Sequence, residues 1–133
     1  MIVAMDVKQL EGVGLFSSLS KKELKQVAGW TDEVSVPAGY ELATEGRFAH
    51  EFFVIEDGVA EVRKGDEPIA ELGPGDFFGE IALLETERRT ASVVAKTPMR
   101  VIVMFQREFK QMEEELPAVA DRVRSAIRAR LDS

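Results

Sequence analysis

The sequence has no cysteine and a single histidine, His50. Disulfide frameworks, thiolate nucleophiles, zinc clusters and Cys/His dyads therefore lack their atoms, and most templates for catalysis or metal binding fall with them. No apolar run approaches the roughly 20 residues that a membrane-spanning helix needs. Basic residues are outnumbered 17 to 24 by acidic ones, for a net charge of -7, which opposes bulk affinity for a phosphate backbone or an anionic membrane. The start, Met1-Ile-Val-Ala-Met5-Asp6, has neither a basic n-region nor a full apolar h-region, so it does not read as a signal peptide. The expectation is a cytoplasmic, non-catalytic protein with no cofactor, no metal site, and neither nucleic acid nor membrane as a partner.

What is present is a globular composition: 133 residues, 45% hydrophobic and 31% charged, with only 5 prolines. That length fits one domain over 1–133, able to bury roughly two thirds of its unfolded surface. Ser20-Lys-Lys-Glu23 has capping-box spacing, and Leu24, Val27 and Ala28 continue it at helical intervals, predicting a helix over 21–29 within an N-terminal helical part spanning 6–30. Phe16 and Trp30 are expected to fill the junction between this helical part and a β core.

From residue 33 the pattern becomes short β-type runs at 34–36, 40–43, 52–55, 60–63, 69–72, 90–95 and 100–104. Turn residues separate them about every ten positions, and Asp57-Gly58 has the chemistry of a two-residue hairpin turn. These seven runs make eight strands if one of them is split, and the fold class expected is mainly β: an eight-stranded antiparallel jelly roll or barrel over 33–105, flanked by helices. Phe105, Phe109, Met112 and Leu116 then recur at helical spacing up to Pro117, and Val119, Val123, Ile127 and Leu131 mark a second amphipathic helix, so two C-terminal helices occupy 106–131.

One stretch, 73–94, breaks the strand rhythm. Gly79 permits close backbone approach, and residues 80–84 are good helix formers, enough for one or two turns. The free amides at the start of such a short helix attract anions, and Arg88 and Arg89 follow within reach if the chain turns back into the next strand. Glu80 would repel a bare phosphate but accept hydrogen bonds from neutral hydroxyls. Phosphate next to a diol points to a ribose phosphate. On residue type alone, Glu80 also suits a helix start, Thr90 a strand, and Arg88 a solvated position or a pair with Glu85 or Glu87.

Phe78-Gly79-Glu80-Ile81-Ala82-Leu83, a five-residue loop, and Arg89-Thr90-Ala91-Ser92-Val93 together resemble the phosphate-binding cassette, 78–93, of the cyclic nucleotide-binding domain family. Leu15 to Leu19, Val36-Pro-Ala-Gly39, Glu45-Gly46 and the run from Phe53 to Gly58 also look like that family, so the resemblance covers about residues 10–131. It implies that Arg89 pairs with the exocyclic oxygens of a cyclic phosphate, that Glu80 accepts the ribose 2'-hydroxyl, and that Gly79 and Ala82 give backbone contacts. Phe78, Ile81 and Ala91 are the remaining cassette positions carried over to the ligand site. Thr90 stands where channel-type members touch the phosphate and the guanine amino group, so the choice between cAMP, which is favoured, and cGMP stays open. The Arg89 to Val93 run looks most like hyperpolarization-activated channels, in which the last helix caps the base. Aligning through Pro117 then implies base-side positions for Arg130 and, one turn earlier, Ile127. Read from the helix alone, Arg130 is one of several arginines on a solvated face.

The resulting expectation is a regulatory sensor of a cyclic mononucleotide that couples binding to movement of its C-terminal helix. Its output would pass to a separate effector protein or to a homodimer formed through the 119–131 face. The alternative is a jelly-roll interaction or dimerisation module that binds no nucleotide. A cupin-like metal enzyme on a similar barrel would need clustered histidines, which a lone His50 cannot supply.

Overall fold

A computed structural model defines residues 2–4, 16, 19–48, 50–79 and 88–132, with the backbone alone at 2–4, 127 and 130–132. The helical reading of 6–15 and the cassette helix at 80–84 lie outside these described residues.

The first described helix, α1 (Lys21–Ala28), begins as its capping box requires: Ser20 Oγ accepts from the Glu23 N–H at 3.2 Å, and Glu23 Oε1 accepts from the Ser20 N–H at 2.9 Å. Leu24 and Val27 bury its inner face, and the chain leaves the helix at Gly29. Nine strands occur among the described residues: β1 (Ile2–Ala4), β2 (Asp32–Val36), β3 (Glu41–Ala43), β4 (Glu51–Asp57), β5 (Ala60–Lys64), β6 (Glu67–Leu72), β7 (Phe77–Phe78), β8 (Ser92–Ala95) and β9 (Met99–Phe105). All pairings are antiparallel, in one sheet ordered β1-β2-β9-β4-β7 and another ordered β3-β8-β5-β6. Among the described residues these are two sheets, not one closed barrel. β1 and the two-residue β7 were not anticipated, because neither carries a run long enough to show a period-two pattern.

The jelly-roll layout explains why 52–55 of β4 and 101–105 of β9 are apolar without interruption. Phe52, Val54, Ile102 and Met104 point to a helical layer with Phe16, Leu19, Leu24 and Val27, whereas Phe53, Ile55, Val101 and Val103 point to the second sheet with Ala60, Phe78, Val93 and Ala95. A strand covered on both faces has no solvent face to hold polar residues. Trp30 packs against the first cluster, as expected from its place at the junction. The Asp57-Gly58 turn, by contrast, is not a hairpin. Gly58 does adopt φ +91°, but β4 and β5 belong to different sheets, so this turn carries the chain around a corner. A methyl group on Gly58 would lie 2.4 Å from the Pro98 carbonyl, which makes the corner too tight for any side chain. The local sequence sets the turn's backbone conformation; pairing partners are decided by the whole sandwich.

Two helices close the described fold, α2 (Gln106–Glu115) and α3 (Pro117–Asp132). Leu116 donates its N–H to the Met112 carbonyl at 2.7 Å, and Pro117, having no N–H to leave unpaired, opens α3. Phe109, Met112, Val119, Ala120 and Val123 are buried in the helical layer. The 119–131 face proposed for self-dimerisation is therefore already covered by the chain's own core at Val119 and Val123. Arg122 adds an ion pair from α3 to Glu23 on α1. The Ser20 backbone bond first, and Arg122 next, hold the Glu23 carboxyl below its usual range.

One polar pair sits within the helix-facing side of the first sheet. Glu33 on β2 lies opposite Ile102 of β9 and is 9% exposed, and Glu56 on β4 stands beside the register shift between Ile55 and Asp57. Glu56 Oε1 is buried without a hydrogen-bond partner. Burial, then the Glu33 carboxyl beside it, push Glu56 up to about 7; Arg100 opposes the shift and Asp57 adds to it. The folded chain holds this proton more tightly than the unfolded chain. Its stabilising contribution is thus complete below the ordinary value of 4.5 and is lost as pH rises through about 7. The melting temperature is expected to fall between about pH 5 and 8, and Glu56→Gln to remove most of that fall. A variant that falls as steeply as the parent contradicts this account of the pair.

Candidate functional site

The site is assembled where β7 runs out. Gly73-Pro74-Gly75-Asp76 folds back on β4: the Gly73 N–H donates to Asp76 Oδ2 at 2.8 Å, the Gly75 N–H to the Ile55 carbonyl at 2.9 Å, and the Ile55 N–H to the Asp76 carbonyl at 2.9 Å. This sets Phe78 opposite Phe53, their rings stacked with centroids 4.8 Å apart, so Phe78 serves the core while fixing where Gly79 emerges. Gly79 has φ +78°. A methyl group there would stand 2.6 Å from the Glu51 carbonyl oxygen and overlap the Arg89 guanidinium. Glycine is required both by conformation and by the cation that crosses it.

Arg89 reaches this point from the segment before β8. Its side chain is only 9% exposed; Nη2 donates to the Glu51 carbonyl at 2.7 Å and pairs with the Glu51 carboxylate at 3.4 Å. The backbone is secured as well, since the Arg89 N–H donates to the Arg47 carbonyl at 2.7 Å and the Arg89 carbonyl accepts from the Gly46 N–H at 2.9 Å. Ser92 Oγ accepts from the Glu45 N–H at 2.9 Å, and Glu45 Oε1 accepts from the Gly65 N–H at 2.9 Å, joining the β3–β4 loop to the tip of the β5–β6 hairpin. Beside Arg89 lies a polar cavity of about 550 Å³ lined by Arg47, Phe48, His50, Glu51 and Arg88 among others. A buried, planar guanidinium held in one orientation can receive an oxyanion through two parallel N–H bonds.

Of the sequence-derived site residues, the structure brings Gly79 and Arg89 together beside Glu51, while Phe78 packs on Phe53. Thr90 is exposed and Ala91 half-buried, and both follow Arg89 ahead of β8. Glu80, Ile81 and Ala82 lie outside the described residues. Ile127 and Arg130 fall on α3, with their side chains outside the description. His50 is exposed, and no group of residues able to hold a metal ion occurs among the described residues. One participant, Glu51, escaped sequence reasoning. Glu51 holds Arg89 across 38 positions, a separation at which no local spacing can signal a contact. Arg88 is exposed, as a solvated position requires, and its Nη1 also donates to the Gly46 carbonyl at 2.7 Å; Glu85 and Glu87, its other expected partners, lie outside the described residues.

Comparisons with known proteins give the family of the chain. The profile of the cyclic nucleotide-binding domain family matches residues 33–115, and the chain belongs to that family. It is 41% identical over 105 residues to a cAMP-dependent protein kinase regulatory subunit of Aspergillus fumigatus, covering 77% of this chain and 25% of that one. A putative cyclic nucleotide-binding protein of Geobacter metallireducens superimposes with a TM-score of 0.79 at 26% identity, over 96% of this chain and 98% of the other. A cAMP-bound PfPKA-R structure gives a TM-score of 0.71 at 25% identity, over 92% and 45%. The chain spans 25% to 30% of the length of the first kinase regulatory subunits it matches.

Gly79→Ala is expected to cost roughly 1–3 kcal/mol, because it forces positive φ on alanine and drives its methyl group into Arg89 and the Glu51 carbonyl. Urea denaturation measures this, and an unshifted midpoint would show that neither constraint operates.

Proposed function

We propose that this chain is a non-catalytic sensor of a 3',5'-cyclic mononucleotide, cAMP by preference with cGMP as the alternative ligand. The observation that carries the reading is the Arg89 guanidinium: buried, oriented by Glu51, and accommodated by a glycine whose side chain could be nothing larger. A cation fixed in advance loses little freedom when a phosphate arrives, so more of the interaction energy is realised as affinity. Arg89 takes the exocyclic phosphate oxygens. Glu80 accepts the 2'-hydroxyl, Gly79 and Ala82 offer backbone contacts, and Phe78, Ile81 and Ala91 shape the cassette. Thr90 adds a hydroxyl beside the phosphate, and Ile127 and Arg130 face the base from α3. Kinship with cAMP-dependent kinase regulatory subunits and a cAMP-bound structural neighbour support this ligand class.

Binding becomes a signal through α3. A ligand that touches both the cassette and α3 favours the arrangement in which that helix is folded over the pocket. The helix is held by Val119, Ala120 and Val123 in the core and by the Arg122–Glu23 pair, so a shift at its far end is resisted by identifiable contacts. The recipient is a separate effector protein. Pairing of two copies through Val119 and Val123 would require α3 to leave its seat first. No described helix is long and apolar enough to cross a membrane. The working compartment proposed is the cytoplasm, and residues 1–133 form the single binding unit.

Calorimetric titration with cAMP and cGMP tests the reading. The parent chain is expected to bind one or both and to gain about 2.7 kcal/mol of stability at a hundred times the dissociation constant. Arg89→Ala should abolish that gain, and Arg89→Lys should weaken binding, because an ammonium cannot replace the planar fork. No heat and no stabilisation with either nucleotide would sink the sensor reading and leave a module that binds other proteins only.

A further inference from the structure

Arg88 stands outside the cassette motif, yet its side chain turns back across the chain. While Nη1 donates to the Gly46 carbonyl, the guanidinium carbon lies 4.4 Å from the centre of the Phe48 ring. The backbones of Phe48 and Arg88 also form an isolated antiparallel bridge. Phe48 is 53% exposed, so burial does not explain an aromatic residue at this position; the stacked cation does.

Gly46 and Arg47 are the two residues to which the Arg89 backbone is bonded, through its carbonyl and its N–H respectively. Gly46 thus carries Arg89 on its N–H and Arg88 on its carbonyl. Residues 45–48 are all exposed, and a loop with so few core contacts keeps its position only through polar staples and stacking. We infer that Arg88 and Phe48, which line the cavity beside Arg89, form a clamp that positions Arg89 for the cyclic phosphate. This inference rests on the nucleotide reading above. Glu51 tethers the guanidinium of Arg89, and the clamp fixes the backbone from which that side chain extends. With both ends held, the fork keeps one direction; with the loop loose, the tether remains while the angle presented to the phosphate drifts. A site of this kind tolerates only about half an ångström of displacement. Arginine suits the clamp better than lysine because one planar group must both stack on a ring and donate to a carbonyl.

Calorimetry with cAMP on the full chain tests this. Arg88→Ala and Phe48→Leu are each expected to raise Kd roughly three- to tenfold, with Arg88→Lys in between. The melting temperature of the nucleotide-free chain should change little, because both side chains are exposed. In an Arg89→Lys background the same substitutions should shift Kd by less than about twofold, as a role exercised through the Arg89 fork requires. Equal losses in both backgrounds would overturn the clamp, since Arg88 would then act independently of Arg89. An unchanged Kd for both Arg88→Ala and Phe48→Leu in the parent background would overturn it too, leaving the sensor reading intact. Failure of the unmodified chain to take up cAMP or cGMP overturns the sensor reading and the clamp with it. Should Arg88→Ala melt well below the parent, Phe48→Leu, which keeps an apolar side chain and the Arg88 charge, decides the matter.

Discussion

The organisation of the site depends on one packing constraint: a guanidinium laid across a backbone that has no side chain. Arg89 can be 9% exposed and still bond to Glu51 only because Gly79 leaves the space it crosses. Several described contacts place those three residues. The Phe53–Phe78 stack fixes the exit of β7, the Gly73–Asp76 turn delivers β7 to β4, and Glu51 is the first residue of that same β4. The strand that forms the middle of the core therefore also supplies the anchor of the site. Stability and ligand geometry share a scaffold, and a packing change in β4 would be felt at Arg89.

The charge balance acquires a different meaning with the structure in view. Residues 41–87 carry 13 acidic and 3 basic side chains, whereas 88–110 carry 6 basic and 1 acidic. A net charge of -7 opposes long polyanions but says little about one small anion met by a local arginine. Within the pocket one acid is turned to use: the Glu51 carboxylate and carbonyl hold Arg89. An ion pair of this type orients more than it stabilises, since a buried pair returns little beyond its desolvation cost.

Much of the fold was legible because its signals are local. The capping box at Ser20 and Glu23, the β-type run at 34–36, most of the run at 90–95, and the helical spacing of Phe109 and Met112 all have counterparts in the structure. The misreadings share a physical cause. Asp57-Gly58 has hairpin chemistry, yet the two strands it joins lie in different sheets, and only the packed sandwich decides that. At the site, the cassette motif pointed to Gly79 and Arg89, and the structure brings them together. Glu51, and the Gly46 contact of Arg88, remained hidden because these contacts run to residues 38 and 42 positions away. An acid at the head of a strand and an arginine in a loop carry no mark of such partners.

The helical layer ties the last described helix to the first. Glu23 caps α1 and grips Arg122 of α3, so the element proposed to move is bonded to the element that begins the described helical layer. The central claim, that Arg89 is the phosphate anchor, is tested most directly by the crystal structure of this chain grown with cAMP. The account predicts the exocyclic phosphate oxygens within hydrogen-bond distance of the Arg89 guanidinium, with Glu51 still behind it. A nucleotide bound with its phosphate away from Arg89, or bound on another face of the molecule, would contradict it.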